Sequence, residues 1–180
     1  KFISHLSHSG CNKFYIHARN AILNGLSTRK NRTVPPLRYH DVMTIKKTFP
    51  NSKIYINGGI TTLNDVKELL EIYGGVMLGR KIYDDPMFLN DIEKCIFSSN
   101  EQLCTSEVIN RYINQLDIDD NKNKLYALRH LTNLYKGTCN AKKWRKFLHS
   151  VINSEQPLKN IKNFNYRSND EDRKINCSKS

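Results

Sequence analysis

The chain has 180 residues, with 29 Lys and Arg against 17 Asp and Glu and a formal net charge of +12. That excess points to a polyanionic partner, nucleic acid first, and no apolar or amphipathic stretch of the kind a membrane partner needs accompanies it. Five cysteines without CxxC spacing or an even framework point to reduced thiols in a cytoplasmic protein rather than to disulfides or zinc, and no signal-peptide core is visible at the start.

In chain order, residues 2–9 predict the end of a helix packed on a barrel, and Phe14-Tyr15-Ile16 a strand that runs into His17-Ala18-Arg19. A long polar loop follows, from Arg19 through Gly25 and Ser27 to Pro35-Pro36, where proline blocks helix continuation. Residues 39–48 read as a helix with Val42, Ile45 and Phe49 inward, ended by Pro50-Asn51. Ile54-Tyr55-Ile56 then reads as a strand delivering Asn57-Gly58-Gly59. Thr61 and Thr62 are candidate N-caps for a helix whose Leu63, Val66, Leu69 and Leu70 recur at helical spacing. Gly74-Gly75 turns the chain into a third strand, Val76–Leu78, which ends on Gly79-Arg80. Strand alternating with helix is the pattern of right-handed βα units on a parallel sheet.

After Pro86 the alternation stops. Helical spacing covers Pro86–Ile96, Ser106–Leu116, Lys124–Tyr135 and Ala141–Val151. Leu125, Leu128, Leu131 and Leu134 form one apolar stripe, the core of a small bundle, and Gly137 stops that helix. From Ser154 onward Asn, Lys, Ser and Asp dominate, which predicts a disordered tail. The expected fold class is therefore α/β: a partial TIM (β/α)8 barrel, its last three strands, followed by a small all-helical domain. The barrel part would span residues 1–96, the helical domain 97–153 and the tail 154–180. A complete barrel needs at least about 200 residues, so only part of one is expected here.

Loops after the last strands of such a barrel commonly hold a phosphate. The backbone N–H groups of Gly58, Gly59 and Gly79 could approach phosphate oxygens closely because glycine has no Cβ, and Arg80 offers a planar bidentate donor. Each glycine alone also suits an ordinary turn, and His17 alone also suits a histidine satisfied by backbone. The charge is uneven. Residues 19–53 carry eight Lys or Arg against Asp41 alone, residues 122–146 carry eight against no acid, and residues 54–120 carry twelve acids and five bases. Two basic segments converging on one face account for this, and a Lys/Asn-biased composition is the plainer alternative.

Taken together, His17-Ala18-Arg19-Asn20-Ala21, Gly25-Leu26-Ser27 through Asn31-Arg32, Val34-Pro35-Pro36-Leu37, Ile56-Asn57-Gly58-Gly59-Ile60, Gly75-Val76-Met77-Leu78-Gly79-Arg80 and Lys143-Trp144-Arg145 resemble the tRNA-dihydrouridine synthases, in particular their bacterial-type A subfamily. The resemblance spans about residues 2–151 and implies a flavoenzyme in which an FMN-binding barrel and a helical domain clasp a tRNA. It implies FMN contacts for His17, Asn57, Gly58, Gly59, Gly79 and Arg80, with NADPH as the reductant. tRNA contacts are expected from Arg29 and Arg32 and from Lys142 and Arg145, each pair three residues apart so that both charges share one side. The family's proton-donating cysteine belongs to barrel strands not present here, so no catalytic residue is assigned, and Cys11 would lie at the wrong end of the barrel. His5 and His8 lack a third ligand, and no metal is expected. The protein is expected to act as a monomer without a membrane partner. A basic RNA-binding remnant without redox activity is the alternative.

Overall fold

The computed structural model describes residues 1–99, 103–116 and 126–164. The chain divides into two compact units, Lys1–Gly79 and a second that begins at Arg80. The division falls ahead of the boundary expected after Ile96, because α5 (Arg80–Asp84) and α6 (Phe88–Cys95) are helices of the second unit. The amphipathic pattern starting at Pro86 does not reveal α5, which buries none of its residues.

In the first unit, β1 (Lys13–His17), β2 (Lys53–Asn57) and β3 (Gly75–Met77) form a parallel sheet in the order β1-β2-β3. The alternation Lys-Phe-Tyr-Ile-His and Lys-Ile-Tyr-Ile-Asn puts Phe14, Ile54 and Ile56 into the core and Tyr15 on the other face. α3 (Tyr39–Thr48) contributes Val42 to that core, and α4 (Leu63–Ile72) contributes Val66 and Leu69. Thr62 and Asp65 form a reciprocal capping box at the start of α4. Burial alone would raise the Asp65 carboxyl, but hydrogen bonds from the backbone and hydroxyl groups of Thr61 and Thr62 outweigh it and hold the carboxyl below its ordinary value. Gly75, read from the sequence as part of a turn, lies inside β3 opposite Tyr55. A Cβ there would fall 2.7 Å from the Tyr55 ring, which stacks on Tyr15 at 4.7 Å between centroids. α1 (Phe2–His8) forms as expected, with Ile3 and Leu6 half-buried and no residue fully buried.

The second unit is organised around Trp144, fully buried on α8 (Ala141–Ile152), whose indole N–H donates to Leu131 O at 2.8 Å. Ile109 and Ile113 of α7 (Thr105–Gln115), together with Leu128, Leu131, Leu134, Leu148 and Val151, share this core. The leucine stripe is thus a core stripe, although its first member, Leu125, lies outside the described residues. The single helix predicted over Lys124–Tyr135 is instead helical over 126–129 and then tightens to a 3₁₀ turn, His130–Asn133. Gly137 follows with φ +82°, in the left-handed region.

Two expectations are corrected here. The tail expected from Ser154 is folded in its first part: α9 (Pro157–Asn160) and a 3₁₀ turn at Ile161–Asn163 carry Ile161 and Phe164 into the core. Phe164 packs edge-on to Trp144 at 5.0 Å, so two apolar side chains outweigh a polar composition that on average predicts disorder. Nor are all the thiols reduced. Cys95 is disulfide-bonded, whereas Cys11, Cys104 and Cys139 form no disulfide.

If residues 157–164 are part of this core, Phe164→Ala should destabilise the second unit by about 3 kcal/mol or more, the usual cost of truncating a buried aromatic. Urea unfolding followed by Trp144 fluorescence checks this, and an unchanged midpoint would place the segment outside the cooperative unit.

Candidate functional site

Because the three strands are parallel, their carboxyl ends share one edge of the sheet. β1 delivers His17 there and β2 delivers Asn57, its register partner. The two side chains meet: His17 Nδ1–H donates to Asn57 Oδ1 at 2.8 Å, which orients the ring and leaves Nε2 as its remaining polar atom. The backbone reinforces the junction, since Ala18 N–H donates to Asn57 O at 2.8 Å and Arg38 N–H to Ala18 O at 2.9 Å.

Beyond Asn57, Gly58 and Gly59 adopt φ +115° and +73°, a conformation that L side chains rarely take. A Cβ on Gly58 would fall 3.2 Å from His17 Cε1, and one on Gly59 only 2.5 Å from Leu37 Cδ1. Glycine is required on both counts, and the second is one the sequence does not reveal: part of the space cleared by the missing Cβ atoms is filled by Leu37. The Tyr39 hydroxyl closes the turn from behind, donating to Gly58 O at 2.6 Å. Burial and the nearby Asp65 carboxylate raise the Tyr39 phenol against the opposing pull of Arg19, so it stays protonated as a donor at neutral pH.

The N–H groups of Gly58, Gly59 and Gly79 donate to no acceptor among the described residues; Gly59 and Gly79 are exposed, whereas Gly58 is buried. Gly79 differs from the other two. It lies just past β3, its φ is not in the left-handed region, and a Cβ there would meet nothing within 4 Å. Glycine at this position is therefore not demanded by the chain itself. Arg80 follows directly, exposed at the start of α5 in the second unit.

The long loop between β1 and α3 is more ordered than its polar composition predicts. Ser27 caps a one-turn helix, α2 (Thr28–Asn31), which carries Arg29, while Arg32 is its C-cap, and both arginines are exposed. The Asn31 side chain staples the loop, accepting from Ile22 N–H at 2.7 Å and donating to Ile22 O at 2.8 Å. Arg19 turns inward to donate to the Thr33 and Pro35 carbonyls. Lys142 and Arg145 lie exposed on α8 in the second unit. Leu37, Tyr39, Arg19 and Asn31 shape the first unit's site, and periodicity gives no sign of their contacts, because each acts across a loop or between segments distant in sequence.

Cys11 precedes β1, at the edge opposite His17. Among the described residues no group of three His, Cys, Asp or Glu could hold a metal ion, and no helix is long and apolar enough to cross a membrane.

A parallel α/β sheet whose strand ends present a histidine and a glycine turn is the class of structure this site defines, and a family model matches the chain. The model of the dihydrouridine synthase (Dus) family matches residues 1–169, and the chain belongs to this family. Over 152 residues it is 38% identical to a tRNA-dihydrouridine(20/20a) synthase of Synechocystis sp., covering 82% of this chain and 45% of the relative. It is 37% identical over 163 residues to the protein of the same name from Pseudomonas aeruginosa, covering 88% of this chain and 49% of the relative. A third such protein, from Yersinia pestis, is 37% identical over 153 residues. The chain thus spans about half the length of the curated relatives it matches.

The glycine turn makes a direct prediction. Gly59→Ala should cost roughly 1–3 kcal/mol, from left-handed backbone strain plus collision with Leu37. In a Leu37→Ala background the steric part should disappear and about 1 kcal/mol of backbone strain remain. A double-mutant cycle by chemical unfolding checks this, and strict additivity would show that Leu37 does not fill the turn.

Proposed function

We propose that this chain is the carboxyl-terminal part of an FMN-dependent tRNA-dihydrouridine synthase. In that reading the three strands are the last of a TIM barrel and the second unit is a helical tRNA-binding domain. The observation that carries the proposal is the Asn57-Gly58-Gly59 turn, held against His17 at the carboxyl edge of the sheet with its amides unengaged. That arrangement fits the phosphate of a flavin nucleotide: backbone donors of the kind that line anion-binding nests, beside an oriented imidazole.

In this reading His17, Asn57, Gly58, Gly59, Gly79 and Arg80 hold FMN. Bound there, FMN would supply the hydride for reduction of a tRNA uridine to 5,6-dihydrouridine, with NADPH as the source of reducing equivalents. The residues present here bind and orient. Tyr39 and Leu37 fix the turn, the glycine amides and Arg80 neutralise the phosphate, and Asn57 sets the direction of the His17 ring. Proton donation to the base is assigned to a cysteine outside this chain. Arg29 and Arg32, with Lys142 and Arg145, grip the tRNA backbone while the reacting base leaves its stack. The relatives' names place the modified uridines at positions 20 and 20a, and we propose the same positions here.

The test uses a complete enzyme carrying this chain together with the barrel strands it lacks. Arg80→Gln should reduce flavin retention by about tenfold or more, the worth of a charge-assisted phosphate contact, and leave tRNA affinity unchanged at low salt. Lys142→Gln with Arg145→Gln should keep the protein yellow and weaken tRNA binding. Identical effects of the two changes would refute this division of the site. A protein that binds tRNA but takes up no FMN would instead support the remnant without redox activity.

A further inference from the structure

The second unit contains a pocket of about 300 Å³ lined by Arg129, Thr132, Arg145, Leu148, His149 and Ile152, with Asn153 at its end, and of these only Arg145 has a role so far. Four of these residues, Arg145, Leu148, His149 and Ile152, recur at helical spacing and form one face of α8. Arg129 and Thr132 reach the pocket from the 3₁₀ turn and the residue before it. Leu148 gives it a buried apolar wall.

Its charge is one-sided. Residues 126–154 hold six Lys and Arg and no acid. Neither Arg129 nor Arg145 enters any ion pair among the described residues, so both guanidinium groups face solvent without a carboxylate. Two unpaired arginines held around one cavity repel one another, and an anion between them relieves that repulsion. A second observation narrows the ligand. Tyr126 is 61% exposed, and the Arg129 guanidinium lies over its ring at 5.2 Å from the centroid. An exposed aromatic beside a basic pocket is the combination that binds nucleic acid, with charge holding the backbone and the ring offering a face for a base.

We infer that this pocket binds an RNA phosphate with its ribose, clamped between Arg129 and Arg145, and that Tyr126 stacks on a neighbouring base. The inference rests on the tRNA reading above and extends it from scattered surface charges to a built site. Arg145, assigned there to the RNA surface at large, becomes half of a specific clamp, and Arg129, His149 and Tyr126 enter for the first time. The apolar wall suits the ribose, and Asn153 can meet its hydroxyl groups.

The experiment measures binding of an unmodified tRNA transcript to the 180-residue chain across a salt series. Arg129→Gln with Arg145→Gln should lower affinity tenfold or more at low salt and flatten the slope of log K against log salt by roughly one for each arginine. Arg129→Lys with Arg145→Lys keeps both charges and should retain the slope, which separates lost contact from lost fold. Tyr126→Ala should weaken binding with the slope unchanged, as expected of stacking. Lys159→Gln with Lys162→Gln, on α9 and the turn after it, should change neither. If the Gln double variant keeps the wild-type slope and affinity, the pocket is not a contact and Arg145 loses its place on the RNA surface, while the tRNA reading survives through Arg29, Arg32 and Lys142. If the wild-type chain has no affinity for tRNA, that reading fails and the pocket proposal with it. Saturation of the pocket by inorganic phosphate at matched ionic strength, with no effect on tRNA binding, would assign it to a free anion and overturn the RNA proposal.

Discussion

Two consecutive glycines in left-handed backbone, Gly58 and Gly59, turn the chain out of β2, and the first unit's site is arranged around that turn. Its inner side is filled by Leu37 and latched by Tyr39, and its flank is the His17 ring aimed by Asn57. The consequence is a turn held in one conformation, and in the proposed reading it is that fixed turn that receives the anion. Backbone donors fixed before a ligand arrives lose little entropy on binding, which is why glycine turns at strand ends serve phosphates so often. Any side chain at either glycine would strain the backbone and disturb a neighbour, so the residue identities and the geometry specify each other.

How much of this was legible in the sequence depends on the range of the interaction. His17, Asn57, Gly58 and Gly59 could be picked out because each closes an apolar run, and strand ends are where parallel sheets present ligand-binding groups. Their mutual contact follows from parallel register, which alternating strands and helices already imply. Leu37 stands in a stretch that carries the family resemblance, but its place in the turn, like that of Tyr39, is not legible, because each reaches the turn from across the chain in a way that no local pattern encodes. Gly75 was misread for the same reason, its small size answering to the Tyr55 ring on the neighbouring strand. The folded segment after Ser154 was hidden by composition, since Ile161 and Phe164 are two apolar residues in a polar stretch and compositional averages do not weigh single anchors.

Charge was legible as a distribution but not as a site. Residues 19–53 and 122–146 are visibly basic, yet the structure gives their members different work. Arg19 is turned inward as a carbonyl donor that holds the loop, while Arg29 and Lys142 are exposed on helices. Arg129, just before a 3₁₀ turn, and Arg145, on a helix face, are brought to one pocket, and periodicity alone merges that turn into one longer helix. Summed charge sets long-range attraction for a polyanion, whereas the placement of unpaired arginines decides where the polyanion is held.

The central claim is that the strand ends of the first unit cradle one anion through the amides of Gly58, Gly59 and Gly79. Backbone ¹H–¹⁵N spectra of the chain titrated with FMN test it directly, because the eight glycines fall in a region of the spectrum with little overlap. The account predicts that these three amides shift together and saturate at a common Kd. Shifts confined to other residues, or three glycines responding at different concentrations, would contradict it.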